Sequence, residues 1–310
     1  MKVSVIVPTY RRTVDLARCI AALEAQHRHA DEIVVIARRE DTATLAWLDA
    51  HAVATHDCRV TVAIVDEPGV VAAYNRGLDT ASGDIVCFTD DDAAPHPDWI
   101  ERIASAFTHA PALGGIGGRD IVHERGGILQ GKKSVVGLVS WYGRAIGNHH
   151  IGDGPPRNVQ VLKGVNMAFR REAVAGVRFD PRLRGTGAQV HCEMAFSLEV
   201  CRHGWTLVYD PALLVEHYPA QRGDEDQRSV FNATAFFNAS FNLRLIMCEH
   251  LPAFQRWAFV TYSTLIGTRA DPGFARALLL ALDGEGLALA LRKWWIGLRA
   301  MHGAWQEAAR

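Results

Sequence analysis

The chain is short of several features that would assign it at once. It has no charge excess: 33 Lys and Arg against 34 Asp and Glu leave a formal net charge of −1 over 310 residues. No basic stripe with interleaved aromatics runs through it, which argues against a nucleic-acid partner. Its six cysteines form no CxxC pair. A zinc site or disulfide framework is therefore not expected, and buried thiols in a reducing compartment fit better. No uninterrupted apolar run reaches the roughly eighteen residues of a membrane span. Val3–Val7 already reads as a strand, with no charged region and apolar stretch before it, so no signal peptide is expected. Glycine is missing where phosphate loops need it. The residues after the first strand are Pro8-Thr9-Tyr10-Arg11-Arg12, which argues against a sugar nucleotidyltransferase. The run GGIGG at 114–118 lacks the GxGxxG spacing of a dinucleotide oxidoreductase. No internal repeat is evident.

About half of the residues are apolar, enough for a sizeable core. In the first half, short β-branched runs alternate with helical patterns. Val3–Val7 precedes a stripe of Leu16, Ile20 and Leu23. Ile33–Ile36 precedes Leu45, Trp47 and Leu48. Val60–Val65 is broken by Glu67-Pro68-Gly69 before a helical Val70–Leu78. Ile85–Thr89 precedes a stripe of Trp99, Ile100, Ile103 and Phe107. Continuous apolar strands alternating with amphipathic helices predict an α/β fold, a parallel sheet covered on both faces. Such sheets bind ligands outside the carboxyl ends of their strands. From Gly114 to Val161 the pattern loosens and glycines are frequent. Order returns with Val159–Leu162, a helical spacing of Met194, Leu198, Cys201 and Trp205, and a strand Leu207–Tyr209 ended by Asp210-Pro211. After Asp226 the chain reads as nearly all helix.

The fourth run delivers Asp90, Asp91 and Asp92 to one strand end. Carboxylates about 5 Å apart repel by roughly 1 kcal/mol in water and roughly 3 kcal/mol at an effective dielectric near 20. A divalent cation relieves this; Mg²⁺ commonly takes one or two carboxylates plus substrate phosphates. A solvated loop capping the next helix through Asp92 or Asp98 is the plainer alternative.

Five ordered pieces carry a resemblance: VSVIVPTYRR, EPGVVAAYNRGLDTASGDIVCFTDDDAAPHPDWI, LKGVNMAFRREAV, CEMAFSLEVCRHGWTLVYDP and VEHYPAQRG. Together they resemble the family 2 nucleotide-sugar glycosyltransferases of the GT-A fold, over roughly Met1 to Gly223. The resemblance implies a mostly parallel sheet flanked by helices. It implies an inverting, metal-dependent transfer of a sugar from a nucleoside diphosphate to a hydroxyl of a glycan or lipid-linked acceptor. On that reading Pro8, Thr9, Tyr10, Glu67, Asn75, Arg76, Asp90 and Asp91 meet the nucleotide sugar, with Arg222 on its phosphates. Gly164 and Asn166 line the sugar pocket. Asp92 and His217 hold Mg²⁺ or Mn²⁺. Each position also has a plainer use: Thr9 through its backbone, Arg76 as a solvated helix residue, Asn166 in packing.

The chain departs from the family pattern twice. Where relatives carry Glu-Asp at a helix start, it has Cys192-Glu193, so the base that takes the acceptor proton falls on Glu193, one methylene longer. Where relatives carry Asp-Asp-Gly-Ser after the second strand, it has Ala37-Arg38-Arg39-Glu40-Asp41. Asp41 is then the candidate for the base of the nucleotide, UDP by default with dTDP or GDP open. A nucleotide-sugar-binding protein that has lost catalysis is the alternative. The expected division is a catalytic domain over 1–225 and a helical segment over 226–310. From Leu251 onward seven Arg and Lys face four Asp and Glu. Two readings stand for this segment. It packs as a helical subdomain, or its Leu-rich faces with Arg292, Lys293, Trp294, Trp295 and Arg299 lie on an anionic membrane surface. The expected location is cytoplasmic, either free or peripheral on the inner face of the membrane.

Overall fold

A computed structural model describes residues 1–51, 59–124, 126–220 and 231–310. Its elements in chain order are β1 (Val3–Thr9), α1 (Thr13–Glu24), β2 (Glu32–Arg38), α2 (Thr42–His51), β3 (Arg59–Val65), α3 (Val70–Thr80), β4 (Ile85–Phe88), β5 (Ala93–Pro95), α4 (Trp99–His109), β6 (Leu113–Glu124), β7 (Gly127–Ile128), β8 (Leu138–Val139), β9 (Ala145–Ile146), β10 (Arg157–Val159), β11 (Met167–Arg170), α5 (Cys192–Arg202), β12 (Thr206–His217), α6 (Ala233–His250), α7 (Ala253–Leu265), α8 (Phe274–Leu280) and α9 (Leu287–Ala308). The chain forms two compact units. The first comprises residues 1–138, 146–179 and 196–220; the second comprises 139–145, 180–195 and 221–310.

The first unit is built on one mixed, mostly parallel sheet in the order β3-β2-β1-β4-β11-β6-β12-β10, with β5 on β12 and β7 on β6. The ladders β3–β2–β1–β4 and β6–β12 are parallel; β11 runs antiparallel between β4 and β6. Three of the continuous apolar runs, β1, β2 and β4, are buried parallel strands, as a sheet covered on both faces requires; the fourth, β3, is an edge strand that buries Ala63 and exposes Val62. Val3, Val5, Ile33, Val35, Ile85 and Cys87 pack with Leu16, Trp99, Ile100 and Phe107 of the flanking helices.

Two expectations are corrected here. The loose stretch after Gly114 contains a full strand, β6. Its glycines hid the apolar pattern because partners sit where side chains would be: a Cβ on Gly114 would lie 2.4 Å from Trp205 Cβ, and one on Gly115 would lie 2.8 Å from Phe169. Nor does Asp210-Pro211 end the late strand. β12 continues to His217, and its register against β6 shifts between Asp210 and Leu214. The bulge absorbs the proline that a regular ladder excludes.

At the amino ends of the strands, the buried Glu32 carboxylate accepts from Ser4 Oγ at 2.5 Å, Ser82 N at 2.5 Å and Ser82 Oγ at 2.9 Å. Burial pushes its pKa up, but these donors outweigh burial and hold it below the usual value.

In the second unit α6 packs along α9. Asn232 caps α6 by accepting from the amides of Thr234 and Ala235 at 2.8 and 3.1 Å. Arg244 is buried and pairs with Asp271 at 2.5 Å. α8 and α9 enclose a small core of Ala277, Leu280 and Ala290. Among the described residues no helix is long and apolar enough to cross a membrane.

Gly77 lets α3 lie close on the sheet: a Cβ there would sit 2.5 Å from Ile6 Cγ2, and Ile6 is fully buried. Gly77→Ala should destabilise the protein by about 1–3 kcal/mol through overpacking, read from urea unfolding. An unchanged midpoint would mean that α3 moves off β1 at little cost.

Candidate active site

Strand order and register assemble the site. After β1 the chain fills one side of the sheet with β2 and β3, then returns with β4 on the other side of β1. The gap between the carboxyl ends of β1 and β4 is thus a topological switch point, where open α/β sheets bind ligands. Ile6 pairs with Phe88. Three residues further along, Thr9 and Asp91 meet, and Thr9 Oγ1 donates to Asp91 Oδ2 at 2.9 Å. Arg12 Nη1 lies 2.9 Å from Asp91 Oδ1 and 3.8 Å from Asp92 Oδ2. Asp91 is therefore engaged from two sides within the protein.

Asp90 and Asp92 have different surroundings. Asp90 is half-buried and accepts from Tyr74 Oη at 3.3 Å. Tyr74 is seated by aromatic packing. Its ring lies 5.1 Å from that of Phe88 and 4.8 Å from that of Phe179, which stacks on Phe196 at 4.1 Å. Such pairs contribute about 0.5–1.5 kcal/mol each beyond burial. Asp92 is buried beside the end of β12, where its Oδ2 accepts from Ala220 N at 2.9 Å and its carbonyl accepts from Tyr218 N at 2.9 Å. His217 Nε2 stands 3.5 Å from Asp92 Oδ1, and its Nδ1 stands 3.5 Å from Asp120 Oδ2. Asp120 is fully buried on β6 and also pairs with Lys163 Nζ.

The charges are strongly coupled. Burial pushes the Asp91 carboxyl up to about 7, with Arg12 pulling the other way. Burial also pushes Asp92 up, but His217, the Ala220 amide and Arg12 outweigh it and hold Asp92 at about 2. Burial pulls the His217 imidazole down, yet Asp120 and Asp92 raise it to about 9. Asp120 is likewise held below its usual range, because His217 and Lys163 outweigh its burial.

These residues suit a divalent cation. One donor atom from each of Asp90, Asp92 and His217 lies within 4.8 Å of the other two. Asp92 Oδ1 and His217 Nε2 are buried without a hydrogen-bond partner. A buried polar atom left this way is costly, and a shared cation with ligands at about 2.1 Å would satisfy both.

The remaining sequence-selected residues fall into two groups. Some serve as framework. Asn75 exchanges two hydrogen bonds with the Phe179 backbone, both 2.9 Å. Asn166 is fully buried, accepts from Trp99 Nε1 at 2.9 Å and donates to the carbonyl of Leu213 at 2.9 Å. Asp41 is buried and accepts from Arg11 N, Thr44 N and Thr44 Oγ1 at 2.5, 3.2 and 2.7 Å, capping α2. Others reach the surface of the first unit. Tyr10 is half-buried under the guanidinium groups of Arg38 at 4.5 Å and Arg11 at 4.9 Å. Glu67 and Arg76 are exposed, and Pro8 and Gly164 are half-buried. A Cβ on Gly164 would lie 3.1 Å from Tyr74 Oη, which places that glycine next to the Tyr74–Asp90 contact. Glu193 belongs to the second unit, half-exposed on the first turn of α5, with the Cys192 thiol 3.5 Å from its Oε2. Arg222 lies outside the described residues.

Sequence reasoning missed Arg12, Tyr74, Asp120 and Lys163. Asp120 carries a readable signal, a lone carboxylate inside GGIGGRDIV, but the glycines there mask the apolar pattern of the strand.

The family model described as Glycosyl transferase family 2 matches residues 4–177. Glycosyltransferase AglE of Haloferax volcanii is 31% identical over 109 residues, covering 34% of this chain and 35% of that protein. Dolichol-phosphate mannosyltransferase of Pyrococcus furiosus is 26% identical over 182 residues, covering 58% of this chain and 49% of that protein. The chain thus spans between a third and a half of the length of the curated relatives it matches. Solved structures similar in fold include two with a bound nucleotide and Mn²⁺. The mannosyltransferase PcManGT of Pyrobaculum calidifontis, in complex with GDP-Man and Mn²⁺, aligns with a TM-score of 0.58 at 18% identity, covering 99% of this chain and 87% of that one. GalNAc-T7 with UDP, GalNAc and Mn²⁺ aligns with a TM-score of 0.64 at 14% identity, covering 100% and 56%. These likenesses establish a GT-A-like fold.

The pKa values set a pH dependence. His217, at about 9, lies above its ordinary value of about 6.5. Its contribution to stability is complete below about pH 6.5 and is lost as pH rises through about 9. Asp92, at about 2, lies below its ordinary value, so its contribution is complete above about pH 4 and lost as pH falls towards 2. Ligation requires a neutral imidazole. Mn²⁺ binding at pH 7 should therefore release about one proton per site, and affinity should rise about tenfold per pH unit from 7 to 9. Calorimetry in buffers of different ionisation heat measures the proton count. Proton-neutral binding, together with unchanged Mn²⁺ affinity in His217→Ala, would remove His217 from the ligand set.

Proposed function

The chain belongs to glycosyl transferase family 2, and we propose that it is an inverting, metal-dependent glycosyltransferase acting on a nucleoside-diphosphate sugar. The observation that carries this reading is the set of Asp90, Asp92 and His217 at the switch point of the sheet. A divalent cation, Mg²⁺ or Mn²⁺, bound there would offset the negative charge that grows on the departing diphosphate.

The chain's own residues have separate tasks in this scheme. Tyr10, Glu67, Arg76 and Gly164 are accessible enough to touch the donor, and the half-buried Asp90, with one oxygen on Tyr74, lies next to Gly164. Thr9, Asp41, Asn75, Asp91 and Asn166 hold the backbone that presents these groups, through the hydrogen bonds described above. Arg12 and Lys163 keep the buried carboxylates compensated. Pro8 stiffens the end of β1, and Arg222 is assigned to the diphosphate. UDP is the first donor nucleotide to test, with GDP and dTDP as alternatives.

Glu193 takes the proton from the acceptor hydroxyl on the face opposite the leaving group, as inversion requires. A positioned base contributes on the order of 10² to 10⁴ in rate, or roughly 3 to 5 kcal/mol. Glu193→Gln should fold and bind donor normally and lose most of its turnover. Near-normal turnover would remove Glu193 from the mechanism. The direct test of the function is Mn²⁺-dependent hydrolysis of UDP-glucose, UDP-N-acetylglucosamine, GDP-mannose and dTDP-glucose without acceptor. Nucleotide affinity with no hydrolysis of any donor would assign the chain as a binding protein instead.

The proposed acceptor is a hydroxyl of a glycan or of a lipid-linked acceptor, and a lipid-linked acceptor suits the surface of the second unit. Phe254 (76% exposed), Trp257, Leu279, Leu282 (84%), Leu287 and Trp295 are solvent-facing, with Arg276, Arg292 and Arg299 also exposed. Tryptophan and leucine flanked by cations suit an anionic interface, which supports a peripheral location on the cytoplasmic face of the membrane. Leu282→Glu with Trp295→Glu should abolish co-flotation with phosphatidylglycerol-containing vesicles, whereas equal flotation of variant and wild type would exclude this surface.

A further inference from the structure

The loop that leads into Glu193 has an unusual backbone. Gln189 and His191 hold φ values of 35° and 77°, and Gly185 holds 128°. Residues with a Cβ rarely occupy the left-handed region, and such a backbone persists only where its surroundings over-determine it. The first turn of α5 hangs from these two residues. Gln189 O accepts from Cys192 N at 3.2 Å, and His191 O accepts from Met194 N at 3.0 Å and Ala195 N at 3.1 Å. The backbone at Glu193 therefore stands where Gln189 and His191 put it.

Helix α6 supplies the constraint, within the same unit. Asn242 is fully buried. Its Oδ1 accepts from Arg184 N at 2.7 Å, and its Nδ2 donates to Arg184 O at 2.9 Å and Val190 O at 3.1 Å. One side chain thus ties residue 184 to residue 190 and closes the loop. Two helical turns along the same face, Glu249 pairs with Arg182 at 2.7 Å. The Arg184 guanidinium lies over the Phe241 ring at 3.8 Å. From inside the loop, Gln189 Nε2 donates to Leu183 O at 2.7 Å. Phe241, Leu245 and Ile246, beside Asn242 on α6, are buried and apolar. A buried amide there is unfavourable unless fully bonded, and the side-chain bonds seen for Asn242 go to loop backbone.

We propose that Asn242 is a positioning residue for Glu193: by closing the 184–190 loop it sets where the first turn of α5 presents the carboxylate. The proposal rests on the reading of Glu193 as the base. It gives the helical carboxyl-terminal segment a direct part in turnover.

The test is a double-mutant cycle in the full chain with Mn²⁺, using hydrolysis of UDP-glucose and GDP-mannose, affinity for UDP and GDP, and thermal unfolding. Asn242→Ala should lower kcat ten- to hundredfold with nucleotide affinity unchanged, and should lower it no further in the Glu193→Gln background. A merely structural residue would cost the same factor in both backgrounds, and that result overturns the proposal. If Glu193→Gln alone keeps near-normal turnover, the base assignment fails and takes this proposal with it. Should Asn242→Ala not fold, Asn242→Asp keeps the acceptor for Arg184 N but loses both donors, and enters the same cycle. Hydrogen exchange adds a readout that needs no substrate. The amides of Met194 and Ala195 should exchange at least tenfold faster in the variant while those of α9 stay unchanged. Unaltered exchange at Met194 and Ala195 overturns the proposal.

Discussion

Carboxylates taken out of water at the mouth of a parallel sheet are the constraint to which the first unit answers. Asp91, Asp92 and Asp120 are all nearly inaccessible, and Asp90 stands beside them. Desolvation alone would protonate such groups. The fold answers with Arg12 from the β1–α1 turn, Lys163 from the turn before β11, and His217 from the end of β12. Each cation comes from a different part of the chain, so the cluster exists only when the strands are in register.

A comparison within the molecule shows what distinguishes the site from the frame. Glu32 is also a buried carboxylate, at the opposite end of the strands, and it is met by three short hydrogen bonds from Ser4 and Ser82. Asp92 keeps one oxygen bonded and leaves the other facing His217 without a hydrogen bond. Both groups are buried; one is satisfied and the other is poised. Incomplete satisfaction of a buried polar pair is where a ligand is expected.

The second unit follows the same logic with polar groups in an apolar setting. Asn242 and Arg244 are two positions apart on α6 and both are buried. The first spends its hydrogen bonds on the 184–190 loop, the second on Asp271 and its own helix. Buried polar side chains that are fully bonded specify geometry more than they add stability. In this unit it is Asn242 whose bonds go to the loop that leads into α5 and Glu193.

Much was legible in order along the chain. The alternation of apolar runs and amphipathic stripes determined β1 to β4 and their helices: β1, β2 and β4 are buried on both faces and must be apolar throughout, and β3 at the edge carries the same β-branched pattern. The position of the aspartates at a strand end followed from the same pattern. What the sequence could not assign was the separate circumstances of three identical residues. Asp91 meets Thr9 and Arg12, Asp92 meets His217, and Asp90 meets Tyr74 only because Ile6 is registered with Phe88 and β12 runs on through its bulge to His217. The glycine-rich β6, and with it Asp120, stayed hidden for a related reason. Its core is supplied by Trp205, Leu207 and Phe169 from elsewhere in the chain. Local sequence sets which face a residue can bury; which partner it finds there depends on pairing between distant strands, and only the tertiary structure decides that.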